Sequence, residues 1–253
     1  MKWKKLSALL ACLPFLAACQ SQPPKGQTTP SPEPSAVLQA SVVQRYGESL
    51  LLAGISGEGG DVYLVPYQEI PLLDEKGNPM APGEVQRGSI VAVSYDGLVR
   101  ETFPAGITPS RIQVQKKSPS VIALYEQVIG DLYAQDAALN EGIQRIAFDL
   151  TKISNLTEAE KNAFVYLLGN TYHKEALQGT FDSLCEAGYI DKEKAQFESG
   201  VLFEIADEKM AGQTVYFSAS KWRSGLGAIG ISNCVATLSG DTWTYEIQDT
   251  WIS

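Results

Sequence analysis

Histidine is almost missing from this chain: His173 stands alone among 253 residues. That scarcity removes three-histidine and HExxH zinc chemistry, because the ligands are not there. Any nucleophile that depends on an imidazole base has one candidate partner. Cysteine is nearly as rare, with Cys12 and Cys19 near the start and only Cys185 and Cys234 in the body of the chain. A disulfide between Cys185 and Cys234 is allowed in an oxidising compartment, with two small buried thiols as the alternative, but one pair does not make a disulfide scaffold. Positive charge is also short, since 20 Lys and Arg face 29 Asp and Glu and the formal net charge is −9. Proteins that bind nucleic acid draw most of their affinity from clustered basic side chains, so no nucleic-acid partner is expected.

What is present begins with an address. Lys2, Lys4 and Lys5 form a charged head, thirteen mostly apolar residues follow from Leu6 to Ala18, and Leu16-Ala17-Ala18-Cys19 closes the segment. A bilayer core needs about twenty residues to cross, so residues 1–18 read as a secretory signal and not as a spanning helix. Leu-Ala-Ala-Cys resembles the lipobox of bacterial lipoproteins. The resemblance implies that Cys19 is the first residue of the mature chain and carries a diacylglyceryl group and an N-acyl chain such as palmitate. Cleavage at Cys12 instead would leave an apolar stretch of six residues, so Cys19 is preferred. Two acyl chains, at about 0.8 kcal/mol per buried CH₂, hold a protein to a membrane without help from surface charge. That matters because loss of residues 1–18 removes three lysines and no acid, which lowers the net charge to −12.

Residues 20–35, QSQPPKGQTTPSPEPS, hold five prolines and no large apolar side chain, and so read as a tether. Proline-rich chain extends at about 3.1 Å per residue, giving a reach of about 50 Å from the membrane. From residue 36 to 117 the pattern is of short β-type runs, AVLQASVVQRY, SLLLAG, DVYLVP, RGSIVAVSYDG and ITPSRIQVQ. Turn chemistry at Gly57-Glu58-Gly59-Gly60, Lys76-Gly77-Asn78-Pro79 and Asp96-Gly97 separates them. Five or six strands in so short a stretch suggest a small antiparallel barrel, which leaves no exposed edges. The stretch RGSIVAVSYDGLVRETFPAGITPSRIQV resembles part of a small OB-like domain of unknown function found in bacterial secreted proteins and lipoproteins. Gly88, Tyr95-Asp96-Gly97, Glu101-Thr102-Phe103-Pro104-Ala105 and the run from Ile107 to Val114 carry the match.

Ser118-Pro119-Ser120 reads as a boundary that also starts a helix, with Ser118 as cap. Val121, Leu124, Tyr125, Val128, Ile129, Leu132 and Tyr133 then recur at helical spacing, so one face is buried. Ile146 to Leu150 is a short apolar run, Thr157-x-x-Glu160 is a capping box, and Thr180 caps a brief helix that ends at Gly188. Four strand-like runs follow: VLFEIADEKM, QTVYFSASKW, AIGISNCVATL and TWTYEIQDTWIS. The expected fold class is therefore α+β: the small OB-like barrel over 36–117, then an α+β domain over 118–253 with its helices first, packed on a four-stranded antiparallel meander. SKWRSGLGAIG with the closing DTWIS resembles a group of uncharacterised envelope proteins of Gram-positive bacteria, and implies no activity.

The chemical candidates are few. Gly225-x-Gly227-x-x-Gly230 has dinucleotide spacing, but the fingerprint works only where a helix follows, and Ile231 to Leu238 reads as a strand. Glycines in a strand mark a bulge, a bend or a close approach. Lys221, Trp222, Arg223 and Gly225 place two cations and an indole together in an acidic region, a candidate site for an anionic ligand group. His173, Cys185 and Asp182 are the only components from which a cysteine nucleophile and base could be assembled, and nothing in their spacing supports it. Asp61, Asp131, Asp136 and Asp149 form no calcium-loop pattern, and neither a metal nor a cofactor is expected. Trp222, Trp243 and Trp251, with Tyr216, Phe217 and Tyr245, read mainly as core, or as a stacking face for a sugar or peptide. The reading is of a lipid-anchored extracytoplasmic protein that binds or scaffolds, with a cell-wall glycan or an envelope protein as partner. A cell-wall hydrolase is the rival.

Overall fold

A computed structural model describes residues 36–55 and 61–253. The leader 1–18, Cys19 and the tether 20–35 lie outside the described residues. The first sheet comprises β1 (Ala36–Tyr46), β2 (Ser49–Gly54), β3 (Val62–Pro66), β4 (Leu72–Leu73), β5 (Ile90–Arg100) and β6 (Ala105–Lys116). Its order is β3-β2-β1-β5-β6-β4, and a parallel pairing of β3 with β6 at Tyr63 and Ala105 closes five of the strands into a barrel. This is the connectivity of an OB-like barrel, reached as the strand runs predicted. Leu38, Ala40, Val42, Leu50, Leu52, Val91, Val93 and Ile112 fill its interior.

The run SLLLAG does not alternate, and the structure gives the reason. Leu50 and Leu52 point into the barrel, whereas Leu51 and Ala53 point outward into a second core that they share with helix α2 (Glu158–Tyr172). A strand buried on both faces reads as a continuous apolar run. Val43 and Val62 join the same outer core, and Ser41 donates to Glu160 at 2.9 Å. The face formed by strands 2 and 3 is where OB barrels generally hold oligonucleotides or oligosaccharides. Here α2 covers that face.

The remaining elements are α1 (Ile122–Ala134), β7 (Arg145–Lys152), β8 (Glu175–Gln178), α3 (Phe181–Glu186), β9 (Gly200–Asp207), β10 (Thr214–Ser224), β11 (Gly227–Ser239), β12 (Thr242–Glu246) and β13 (Asp249–Ile252). They form a seven-stranded mixed sheet in the order β12-β11-β10-β9-β7-β8, with β13 also on β11. The expected four-stranded antiparallel sheet is corrected here. Strands β9 to β12 do make a meander, but β7 runs parallel to both β8 and β9. Parallel neighbours need a crossover, and α2 supplies it between β7 and β8. The helices are therefore interleaved with the strands instead of preceding them. The run TWTYEIQDTWIS is two strands, one on each side of the kink in β11 at Asn233, whose φ is 53°.

Helices α1 and α2 cover one face of this sheet, and their apolar sides join β7, β9, β10 and β11 in the shared core. Thr157 and Glu160 make the expected capping box, and Thr180 accepts from the Ser183 amide. Ser118 does not cap α1; the Ser120 hydroxyl accepts from the Ile122 amide at 3.2 Å instead. On the other face Leu184, Ile190 and Phe197 pack over Ala147 and Leu202. No helix among the described residues is long and apolar enough to cross a membrane.

Candidate functional site

The chain that links the two sheets passes through a tight contact at Gly88. This residue has φ +78°, and a Cβ on it would lie 2.2 Å from the Ser118 carbonyl oxygen. Glycine is required on both counts. On the barrel side the Gly88 amide donates to Val42 at 2.7 Å, and on the other side the Trp243 indole donates to the Ser120 carbonyl at 2.9 Å. The linker 118–120 thus forms the floor between barrel and second sheet.

A groove of about 580 Å³ lies along that floor. The end of β1 and the segment before β5 line one wall, and the β11–β12 turn lines the other, with Trp243 at its base. Three cations border it: Arg45, Arg87 and Lys117. Arg87 donates to Gln44 at 2.6 Å and pairs with Glu126 at 2.7 Å, which fixes its guanidinium in place. Arg45 is exposed and gives one nitrogen to the Gly83 carbonyl at 3.0 Å. Lys117 is exposed, and its neighbours Ser118 and Ser120 add hydroxyls. Asp241, on the far wall, accepts from Gln86 at 3.0 Å. Three of the barrel's seven basic residues therefore meet on one groove of an acidic protein. Sequence spacing could not reveal this, because positions 45, 87 and 117 meet only through the strand order.

The cation pair singled out from the sequence has a different role, and the ligand site expected there is corrected. Lys221 is fully buried, and its ammonium donates to the carbonyls of Gln135 and, at 3.2 Å, Asp136. Burial pulls it below the usual lysine range, opposed by the nearby Asp136 carboxylate. Arg223 donates to the carbonyls of Leu139 at 2.9 Å, Glu141 at 2.8 Å and Glu198 at 3.1 Å. Both cations clamp the 3₁₀ turn Ala137–Asn140 and its flanks. Trp222 packs edge-on against Phe181, with ring centroids 5.1 Å apart.

The glycines of SGLGAIG are explained by packing. The Gly225 amide donates to Ala195 at 2.9 Å, a Cβ on Gly227 would lie 2.8 Å from Leu139, and one on Gly230 would lie 2.3 Å from the Trp251 ring. Gly227 opens β11, so a strand follows where the phosphate fingerprint needs a helix.

The two thiols are free, and the disulfide considered for Cys185 and Cys234 is absent. Cys234 lies in the core beneath α1 and α2, whereas Cys185 packs on the opposite face of the sheet with α3, so the sheet itself separates them. Burial pushes the Cys234 thiol up to about 11. His173 is the exposed left-handed cap of α2 beside a second cavity of about 510 Å³, and Cys185 is not among that cavity's lining residues. Asp182 pairs with Lys192 at 3.0 Å. Cysteine, histidine and aspartate are thus not assembled into a triad. Among the described residues no group of three or more His, Cys, Asp or Glu side chains is placed to hold a metal.

Two further carboxylates serve as braces. Asp207 accepts from the Tyr125 hydroxyl, from the Ser154 amide at 2.6 Å and from Asn155 at 2.6 Å, and Asp131 accepts from Tyr245 at 2.5 Å. Burial, then these carboxylates, hold both tyrosines well above the usual phenol range. Tyr172, stacked on Tyr133 at 4.3 Å, is pushed up to about 12, mainly by burial.

No family model matches the chain, and no curated protein does. Among solved structures it is similar to an aspartyl tRNA synthetase from Entamoeba histolytica, at 13% identity and a TM-score of 0.25, over 74% of this chain and 46% of that one. It is also similar to asparaginyl-tRNA synthetase from Pyrococcus horikoshii, at 14% identity and a TM-score of 0.22, over 74% of this chain and 47% of that one. The chain spans less than half the length of either. Likeness this slight says nothing about its ligands.

Proposed function

We propose that this chain is an extracytoplasmic lipoprotein, held to the membrane through Cys19, that binds an anionic ligand in the groove between its two sheets. A carboxylate-bearing cell-wall glycan is the ligand class that suits both the address and the groove. The observation that carries the reading is the meeting of Arg45, Arg87 and Lys117 around about 580 Å³ in a protein of net charge −9. Arg87 is fixed by Gln44 and Glu126, which lowers the ordering cost of binding, while exposed Arg45 and Lys117 give on-rate and register. Ser118 and Ser120 supply hydrogen-bonding groups, and the linker backbone supplies a rigid base. Leu16-Ala17-Ala18-Cys19 and the proline-rich 20–35 support the anchor.

Calorimetry with a carboxylated wall-glycan fragment tests the groove. Exposed ion pairs are worth about 0.2–1 kcal/mol each, so Arg45→Gln with Lys117→Gln weakens binding about tenfold, and added salt weakens the parent protein similarly. Binding that is indifferent to both would overturn the reading. The anchor is tested separately: Cys19→Ser abolishes incorporation of a labelled fatty acid and releases the protein from the membrane fraction.

A further inference from the structure

One end of the barrel is apolar where the rest of its surface is not. Strand β1 runs antiparallel to β2 and β5, while β3 is antiparallel to β2 and parallel to β6. These directions bring the start of β1, the end of β2, the start of β3, the end of β5 and the start of β6 to one end. Among the described residues, four of the barrel's five exposed large apolar side chains are there: Val37, Ile55, Leu98 and Val99, each between 44% and 72% exposed, while the fifth, Phe103, packs edge-on against Tyr166 of α2 at 6.0 Å. Val37 pairs with Ser94 on β5, the Ile55 amide donates to Gln39 at 2.9 Å beside it, and Val99 pairs with Ile107. Apolar side chains scattered singly need no explanation, but four gathered at one end do.

That end is also where the tether joins the fold, at Ala36, paired with Tyr95 on the arm that carries Leu98 and Val99. We propose that this apolar rim rests on the lipid surface in which Cys19 is anchored, with Leu98 and Val99, at the bulge of β5 that follows Tyr95, entering the headgroup boundary. The proposal rests on the lipid-anchor reading. Chain from Cys19 to Ser35, at about 3.1 Å per residue, keeps Ala36 within about 50 Å of the bilayer, so the rim meets lipid at a high effective concentration and weak apolar affinity suffices. Among the described residues, charge at this end is nearly even. Arg100 and Arg111 stand against Asp61, Asp96 and Glu101, and Asp96 accepts from the Leu98 amide at 3.0 Å to brace the arm. The contact is therefore apolar and insensitive to salt. It would leave the groove, bordered by the opposite end of β1, facing away from the membrane.

The test uses the full lipidated chain in phosphatidylcholine vesicles with and without brominated lipid. Leu98→Trp adds a blue-shifted emission that brominated lipid cuts by about twofold, as expected for a side chain seated ~5–10 Å into the headgroup boundary. Thr242→Trp, exposed after the β11–β12 turn that walls the groove, adds emission that the bromines leave unchanged. Both outcomes persist in high salt. If the variants float with vesicles yet Leu98→Trp is unquenched, the rim proposal fails and the anchor stands. A blue shift without quenching, accompanied by dimerisation, would make the rim a protein contact and overturn the proposal too. If the parent chain does not float, the anchor fails and the rim proposal falls with it.

Discussion

Lys221 and Arg223 on β10 direct their hydrogen bonds at two and three carbonyls of their own chain, whereas Arg45 gives one to Gly83 and, like Lys117, is otherwise exposed beside Arg87. The contrast separates structure from recognition in a protein poor in cations. A buried ammonium that satisfies two carbonyls, as Lys221 does with Gln135 and Asp136, replaces a cap that the turn after α1 would otherwise lack. Arg45 gives only one nitrogen to a carbonyl, that of Gly83, and its exposed guanidinium keeps further donors for a ligand. Position on a solvent-facing wall, not charge or an aromatic neighbour, distinguishes the two groups.

Substitutions can break this contrast, beginning with the largest effect. Lys221→Ala leaves two carbonyls unpaired and opens a cavity, and is expected to cost about 3–4 kcal/mol in urea unfolding. Arg223→Ala removes three donors from a partly exposed site and costs about 2 kcal/mol. If either change left stability intact while reducing ligand binding, the assignment of roles would be reversed. Gly88→Ala forces a Cβ to within 2.2 Å of the Ser118 oxygen at φ +78°, for an expected loss of about 2 kcal/mol together with weaker glycan binding, because the groove floor moves. Lys117→Gln is the smallest, with stability within about 0.5 kcal/mol of the parent and an effect on binding alone.

The pH dependence sharpens the comparison from another side. Cys234 ionises at about 9 when unfolded and about 11 when folded. Its contribution is intact below pH 9 and is withdrawn as pH rises from 9 towards 11. Lys221, held below its ordinary value, works in the opposite sense and adds stability as pH rises towards 10.5. The urea midpoint of Cys234→Ala is expected to fall less steeply between pH 9 and 11 than the parent's, and that of Lys221→Met more steeply. Equal slopes in all three would contradict the burial of these groups.

Much of the fold was legible because it rests on local signals. Alternation in Ile90 to Tyr95 and the Thr157-Glu160 capping box each specify their element within a few residues, whereas the turn expected at Asp96-Gly97 is a bulge inside β5, and the β5–β6 connection falls at 101–104. What escaped was non-local. Glu175 to Gln178 carries no alternation, so β8 and the parallel β7–α2–β8 unit could not be read. The unbroken Leu50 to Ala53 run signalled burial on both faces, but not that α2 would be the cover. At the candidate site, the pattern Lys-Trp-Arg beside glycines drew attention to a structural clamp, while Arg45, Arg87 and Lys117 are dispersed over 72 positions and converge only through the antiparallel pairing of β1, β5 and β6. The glycine spacing at 225–230 likewise records close approach to Leu139 and Trp251.

The most direct measurement is a paired calorimetric titration of the full chain with a carboxylated wall-glycan fragment, comparing Arg45→Gln/Lys117→Gln with Arg223→Gln. The account predicts that the groove pair loses about tenfold in affinity at unchanged stability, while Arg223→Gln loses stability but, where folded, binds as the parent does. Undiminished binding by the groove pair, or its loss in a folded Arg223→Gln protein, would contradict it.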